Sequence, residues 1–241
     1  MRKIKIVLTL ILVFCIGIAT VGCNSQSVTL PVNPDAPSKD QLLSELAKDS
    51  LTKATDLIEV EYKDVQIGEN FDFSRLSNFV KIDVKDYGSI IILLRPDVAP
   101  ITVNNFKKLV HEGFYNNLTF HRAVKGTMIE GGEIDADGVI HDTDMIYGEF
   151  AQNNFTNNLP HIKGVISMSR KNIPDSAAGG FFIVCGDAPQ LDGRYAAFGY
   201  VIEGMEIVEA IENAEVGAND APTTPIVIEK ITFMEILKKD N

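Results

Sequence analysis

The part of the sequence that most restricts the fold runs from Phe79 to Ile236, where short apolar segments alternate with turn-forming residues. Val80, Ile82 and Val84 alternate with charged residues, as on a strand that buries one face. Residues 57–67 also alternate, which predicts a short edge strand in front of this region. Further strands are predicted at residues 89–95, 118–124, 128–131, 164–168, 181–185, 196–201 and 226–236.

Two segments of the same region have helical spacing instead. Pro100 opens a helix whose apolar residues share one face as far as Gly113, and a second helix is predicted over residues 205–213. Many short strands with only two helices predict a mainly β fold, namely a closed β-barrel with helices at its ends.

The first 22 residues have the order of an export signal. Met1 to Lys5 is short and basic, and the apolar run from Ile6 to Ala19 is followed by Thr20-Val21-Gly22-Cys23. The run of about 14 residues is shorter than the roughly 20 that a membrane-spanning helix needs. We therefore predict that residues 1–22 are a signal peptide.

Gly22-Cys23 resembles the lipobox of bacterial lipoproteins. The resemblance implies that Cys23 carries acyl chains such as palmitate and holds the protein at the cell membrane, facing away from the cytoplasm. Two or three acyl chains on one residue suffice for stable anchoring. The alternative is an ordinary secretory signal that is followed by an incidental cysteine.

A tether and a short helical arm are predicted over residues 23–56, before the domain at 57–241. Residues 24–38 are polar with three prolines, as in an extended spacer, and Ser38 is a candidate N-cap for a helix that reaches about Ala54. The sequence leaves open whether this helix rests against the domain or only lengthens the tether.

The charge balance excludes some partners. The formal net charge is -11, and because Arg2, Lys3 and Lys5 are the only charged residues before Cys23, the chain from Cys23 onward carries -14. Such an acidic body argues against nucleic acid and against electrostatic attachment to anionic lipid.

No metal or cofactor is expected. The three cysteines have no metal-binding spacing, and Cys185 lies in an apolar strand, where a buried, inert thiol is the better interpretation. The acidic loop that holds Asp135, Asp137, Asp142 and Asp144 lacks the spacing of a calcium loop, so we expect a solvated surface.

A series of short motifs extends from residue 99 to residue 205: Ala99-Pro100, Asn105-Phe106, Gly113-Phe114-Tyr115, Phe120-His121-Arg122, Met128 to Gly132, Tyr147 to Phe150, Gly164 to Met168, Phe181-Phe182-Ile183, Leu191-Asp192-Gly193, Phe198-Gly199 and Gly204-Met205. With these motifs in this order, residues 79–241 resemble the cyclophilin family of prolyl isomerases. The resemblance implies an eight-stranded closed β-barrel capped by two α-helices, with peptidyl-prolyl cis-trans isomerase activity.

The resemblance also assigns roles to residues. Arg122 directs its guanidinium at the proline nitrogen and the neighbouring carbonyl in the twisted state, which is transition-state stabilisation without a nucleophile, metal or cofactor. Ser169 and Arg170 sit where the backbone of an extended substrate pairs. The proline pocket corresponds to Met128, Phe182, Leu191 and Tyr195.

Three residues depart from the family pattern. Thr127 replaces a Phe, Glu130 replaces a Gln and Gly180 replaces a Gln, so part of the apolar floor and a substrate-binding amide are lost. Glu130 lies across a short turn from Arg122, and we predict that the two form an ion pair that lowers turnover. His121 points to the other side of its strand, which favours a structural hydrogen-bonding role.

The leading hypothesis is a monomeric prolyl isomerase lipoprotein that acts on X–Pro segments of exported proteins and assists their folding. The main alternative is a degenerate cyclophilin that binds proline-containing peptides as a chaperone or scaffold with little turnover. A solute-binding lipoprotein is a third interpretation, for which the chain is short.

Overall fold

The computed structural model describes residues 38, 40–42, 44, 45, 57–62 and 72–236. The signal peptide, Cys23 and nearly all of the tether lie outside these residues, so they stay predictions, as do the boundaries at 22 and 56. Within the described part of the chain, no helix is both long and apolar enough to cross a membrane.

In the described part of the chain, nine antiparallel strands form one sheet, and eight of them close into a barrel. The strand order is β1-β9-β2-β3-β8-β6-β7-β5-β4, and pairing of β9 with β4 closes the circle. The predicted closed eight-stranded barrel is therefore confirmed. The strands are β1 Leu57–Val60, β2 Phe79–Val84, β3 Gly88–Leu94, β4 Leu118–Val124, β5 Met128–Asp135, β6 Val165–Met168, β7 Phe181–Val184, β8 Ala197–Glu203 and β9 Ile226–Ile236.

The last strand joins three others because it is long. At its start Ile226 and Val227 pair with β4, while at its end residues 233–236 pair with β1, and β2 pairs with residues between Ile228 and Met234. β1 is thus an edge strand outside the closed barrel, as its alternation predicts.

Strand β5 is four residues longer than predicted. The sequence suggests an end at Gly131-Gly132, but pairing continues to Asp135 through two shifts of register against β4. Gly132 has a φ of +87°, and a Cβ there would lie 2.8 Å from the ring of Phe181. The glycine is therefore required by close packing inside the strand and does not end it.

Residues 72–236 contain two α-helices, α1 Pro100–His111 and α2 Met205–Glu212. The start of α1 is capped from a distance by the fully buried Glu149, whose carboxylate accepts hydrogen bonds from the amides of Ile101 and Thr102 and from the Thr102 hydroxyl. These bonds satisfy amides that a helix start leaves without partners. Burial raises the pKa of Glu149, against the hydrogen bonds that lower it.

The strands divide their side chains between two apolar clusters. Phe181 and Ile183 of β7 pack in the barrel core, whereas Phe182 and Val184 belong to an outer cluster on the barrel wall. Alternate residues of a strand face opposite sides of a sheet, which explains the division. The outer cluster also includes Leu42, which lies before the barrel in the sequence and is fully buried.

The helical arm rests against the barrel in the residues that are described. Residues 40–42, 44 and 45 are helical, and Ser38 caps them, since its amide donates to the Gln41 side chain while the Gln41 amide donates to the Ser38 hydroxyl. Leu42 packs in the outer cluster, and Glu45 forms an ion pair with Arg95 at 2.8 Å. The remainder of the predicted helix, to Ala54, lies outside the described residues.

Candidate active site

A cavity of about 300 Å³ opens on the outer wall of the barrel, where strands β4, β5 and β7 run side by side. All eight residues that the sequence proposes for catalysis or substrate binding line this one cavity. Its lining residues are Arg122, Val124, Thr127, Met128, Glu130, Ser169, Arg170, Phe182, Leu191 and Tyr195. The structure thus brings the predicted residues together, while their roles in catalysis stay predictions.

One half of the cavity is apolar and firmly packed. Met128 and Phe182 are 8% and 4% exposed, and both belong to the outer cluster. The Tyr195 ring meets the Phe182 ring edge-on, with the ring centroids 5.5 Å apart. Leu191 packs partly buried against the same cluster. This half offers a preformed apolar surface of the kind that a proline ring can cover.

A network of hydrogen-bonded side chains packs against the Phe182 ring. The His161 ring stacks on Phe182, and its Nδ1 and Nε2 lie 3.0 Å from Asp192 Oδ1 and 2.9 Å from Ser167 Oγ. Burial lowers the pKa of His161, against the opposing effect of Asp192. Since Ser167 is fully buried, this serine–histidine–aspartate arrangement positions the pocket wall and offers no nucleophile to a substrate.

The other half of the cavity is charged and open to solvent. Arg122 lies directly across from Glu130 in the register of β4 and β5, and its Nη1 is 3.4 Å from Glu130 Oε2. The other Glu130 oxygen accepts a hydrogen bond of 2.5 Å from the Ser169 hydroxyl. The predicted ion pair is therefore present, with Ser169 as a second anchor for the carboxylate.

A second carboxylate, which the sequence does not reveal, also reaches Arg122. Asp220 Oδ2 is 3.3 Å from Arg122 Nη2, across 98 positions of sequence. Asn219 and Asp220 both have left-handed backbone, with φ of 60° and 59°. Consecutive non-glycine residues in this conformation are uncommon and store backbone strain. The loop before β9 thus holds Asp220 against the guanidinium.

Comparison with known proteins identifies the family. The model of the family "Cyclophilin type peptidyl-prolyl cis-trans isomerase/CLD" matches residues 79–233. The chain belongs to this family. As a cyclophilin it is a peptidyl-prolyl cis-trans isomerase, an enzyme that interconverts the two forms of X–Pro bonds.

Individual cyclophilins agree with this assignment. A probable peptidyl-prolyl cis-trans isomerase of Brucella suis is 34% identical over 162 residues, which cover 65% of this chain and 82% of the relative. Peptidyl-prolyl cis-trans isomerase B of Escherichia coli is also 34% identical, covering 62% of this chain and 96% of that protein. A Cryptosporidium parvum cyclophilin crystallised in the presence of the dipeptide Ala-Pro superposes with a TM-score of 0.56 at 26% identity, covering 68% and 99% of the two chains.

The Arg170 side chain forms part of the cavity wall, and neighbouring groups engage its charge. Its guanidinium donates to the Arg194 and Lys171 carbonyl oxygens and lies 5.0 Å and 4.8 Å from the ring centroids of Phe150 and Tyr195. These contacts hold the side chain flat over aromatic faces.

The departures at residues 127 and 180 have different consequences. Thr127 lines the cavity where the family pattern has Phe, so the apolar surface is smaller there. The Ser169 amide donates to the Gly180 carbonyl at 3.0 Å, a backbone bond that does not depend on the side chain at residue 180 and that leaves this amide already paired. The space that a side chain at residue 180 would fill is taken by Glu133, whose Cδ would be 2.5 Å from such a Cβ.

The other residues singled out from the sequence lie outside the cavity lining. Burial lowers the pKa of His121, although nearby carboxylates and a backbone hydrogen bond at Thr119 oppose the shift, and its buried Nδ1 has no hydrogen-bond partner among the described residues. Cys185 is buried, which raises its pKa to about 12.

The acidic loop after β5 is organised by its own residues. The Asp135 carboxylate accepts hydrogen bonds from the amides of Asp137 and Val139 and lies 2.8 Å from the His141 ring. The hydrogen bond to His141 is the main cause that lowers the pKa of Asp135. Over residues 72–236 and the shorter described segments, no group of three or more potential metal ligands occurs.

Proposed function

We propose that this cyclophilin isomerises exposed X–Pro bonds of exported proteins while a lipid on Cys23 holds it at the membrane surface, and that it thereby assists their folding. The observation that carries the catalytic part is the single cavity of about 300 Å³ in which an apolar surface faces the Arg122 guanidinium. The reaction requires the proline ring to lie on the apolar surface while its amide lies beside the guanidinium.

The chemistry needs binding and one fixed charge. Rotation about the X–Pro bond breaks amide resonance, and the barrier is about 20 kcal/mol although the two end states differ by only about 1 kcal/mol. As the bond twists, the nitrogen becomes pyramidal and gains a lone pair. Arg122 stabilises that state by donating to it, and Met128, Phe182, Leu191 and Tyr195 hold the ring while the bond turns.

The export and anchoring part is supported by the sequence. The leader has the order of an export signal, Gly22-Cys23 resembles a lipobox, and the three prolines between Cys23 and Ser38 suit an extended tether. Because the chain from Cys23 onward is strongly acidic, attachment through a lipid is more favourable than attachment through surface charge.

A binding module with little turnover is the second candidate. It is favoured by the two carboxylates on Arg122, with Glu130 Oε2 and Asp220 Oδ2 at 3.4 Å and 3.3 Å from the guanidinium nitrogens. Both would weaken the field that the guanidinium offers to a substrate. Membership of the cyclophilin family excludes the third interpretation, a solute-binding lipoprotein.

Exchange NMR on an Ala-Pro peptide separates the two candidates, because one experiment reports binding and cis-trans interconversion. We expect accelerated exchange with the parent protein and none with Arg122→Ala. Chemical-shift changes without accelerated exchange in the parent would favour the binding module and contradict the proposal.

The anchor is tested by the location of a Cys23→Ala variant. We expect it in the medium or the soluble fraction, whereas the parent sediments with membranes. Cys185→Ala is the matched control, since it removes a thiol from the barrel and leaves the lipobox intact. Membrane retention of Cys23→Ala would show that the lipid assignment is wrong.

A further inference from the structure

A second cavity of about 290 Å³ adjoins the cavity that Arg122 and Phe182 line, which we call the proline cavity after its proposed ligand. The two share three lining residues, Glu130, Ser169 and Arg170, so they lie side by side on the barrel wall. The remaining lining residues come from the segment after Gly132 and from the loop between β6 and β7: Glu133, Ile134, Ile140, Asp142, Thr143, Met145, Lys171, Ser176 and Ala178.

Glu133 lies in this second cavity because residue 180 is a glycine. An ideal Cβ at Gly180 would be 2.5 Å from Glu133 Cδ and 2.8 Å from its Oε1, so any larger residue would push the carboxylate aside. Among the described residues, no hydrogen bond or ion pair reaches the Glu133 side chain. The carboxylate is half-buried and free to receive a donor.

The other charged groups of the second cavity are engaged or exposed to solvent. Glu130 is held by Arg122 and Ser169, and the Arg170 guanidinium lies over aromatic rings of the neighbouring wall. Asp142 and Lys171 are both exposed and opposite in sign. Among the described lining residues, Glu133 is therefore the half-buried carboxylate that no hydrogen bond or ion pair engages.

The rest of the lining suits a long aliphatic side chain. Ile140 and Met145 are 63% and 61% exposed, which is unusual for residues of this size, and both face the second cavity together with Ile134. Lysine and arginine bury an aliphatic stem against apolar surface while their charged end stays with polar groups. Apolar walls beside the half-buried, unpaired carboxylate of Glu133 match that chemistry.

We propose that the second cavity binds a lysine or arginine side chain of the substrate and that Glu133 is the residue that selects it. The inference rests on the proposed function, in which the first cavity holds the proline. Because an extended chain advances about 3.3 Å per residue and alternate side chains share a face, the cation lies one or two residues from the proline.

The test uses a set of proline-containing peptides in which lysine or its uncharged counterpart norleucine replaces, one at a time, each residue within two positions of the proline. Affinity comes from NMR titration and turnover from exchange spectroscopy in the same samples. At one position we expect the parent to bind the lysine peptide about three- to fivefold more tightly than the norleucine peptide.

Two variants assign the preference to Glu133. Glu133→Gln removes the charge, and Gly180→Ala displaces the carboxylate without neutralising it, so both should bind lysine and norleucine peptides equally. Glu229→Gln is the charge-matched control, since Glu229 is exposed on β9 and lies outside both cavity linings, and it should keep the parent's preference.

Equal affinity of the parent for both peptides at every position would overturn the inference, as would a preference that survives Glu133→Gln. The proposed function is measured separately by exchange of the norleucine peptides. Exchange without lysine preference removes the inference alone, whereas lysine-selective binding without exchange removes the catalytic proposal and leaves the inference standing.

Discussion

The two halves of the proline cavity are built differently. The apolar half consists of strand residues such as Phe182, only 4% exposed and supported by the buried His161, Asp192 and Ser167. In the charged half, 42% of the Arg122 side chain is exposed, and its two partners lie at 3.3 Å and 3.4 Å.

We expect this difference to separate substrate binding from turnover. The apolar half takes its shape from the outer cluster, so it changes only when the barrel wall changes. The charged half depends on side chains near the surface, where ion pairs are weak and screened by salt. We therefore expect substitutions at Glu130 or Asp220 to change the isomerisation rate and to leave the affinity for proline unchanged.

The largest effect is expected in the apolar half. Phe182→Ala removes a buried aromatic ring from the outer cluster and should lower the free energy of unfolding by about 3–5 kcal/mol. Denaturant unfolding measures the loss, and NMR titration should show that peptide binding disappears with it. Phe182→Leu is the control that keeps most of the buried volume; if it binds and folds as poorly as the alanine variant, packing is not the cause.

A smaller effect, of opposite sign, is expected at Glu130. Glu130→Gln keeps the hydrogen-bonding shape and releases Arg122 from an ion pair, so kcat/KM should rise about three- to tenfold with little change in peptide affinity. Isomerisation rates at low and high salt give the measurement, and the gap between parent and variant should narrow as salt increases. No increase over the parent would show that the ion pair does not limit turnover.

Mild acid should weaken the apolar half through His161. Its pKa is lowered in the folded protein from an ordinary 6.5, so below about pH 6.5 the unfolded chain takes up a proton that the folded chain resists. The free energy of unfolding should therefore fall between pH 6.5 and the lowered pKa. Unfolding curves over this range test it, and His161→Gln should flatten the pH dependence more than His141→Gln, which alters an exposed ring.

The smallest effect is expected at Asp220. Asp220→Asn removes a half-exposed charge from Arg122 and retains a residue that tolerates left-handed backbone, so kcat/KM should rise about twofold. Because the change is small, it is best measured in the Glu130→Gln background, where Asp220 is the remaining carboxylate on Arg122. A decrease in both backgrounds would show that Asp220 positions Arg122 for catalysis.

Much of the barrel follows from local sequence patterns. The predicted strands at 118–124 and 226–236 have the observed bounds, because their alternation is strong and turn residues flank them. The apolar pocket residues also follow from the family motifs. Each of these features depends on residues that are close together in the sequence or occur in a known order.

The remaining features depend on contacts that no local pattern records. Asp220 reaches Arg122 only because the loop before β9 packs against β4. His161 stacks on Phe182 only because the tertiary fold brings together segments that are separate in the sequence. From the sequence alone, Leu42 could equally belong to a tether helix that does not contact the barrel; only the structure shows that it is buried in the outer cluster. Glu133 becomes a candidate residue only when the empty space at Gly180 is known.

The most direct test of the division between the two halves compares Arg122→Ala with Leu191→Ala on one Ala-Pro peptide, with affinity and saturated exchange rate measured in the same titration. We predict that Arg122→Ala keeps its affinity within about threefold and loses about 100- to 1,000-fold in exchange rate, whereas Leu191→Ala loses mainly affinity. If the two variants lose affinity and rate in the same proportion, the pocket acts as one unit and the division is wrong.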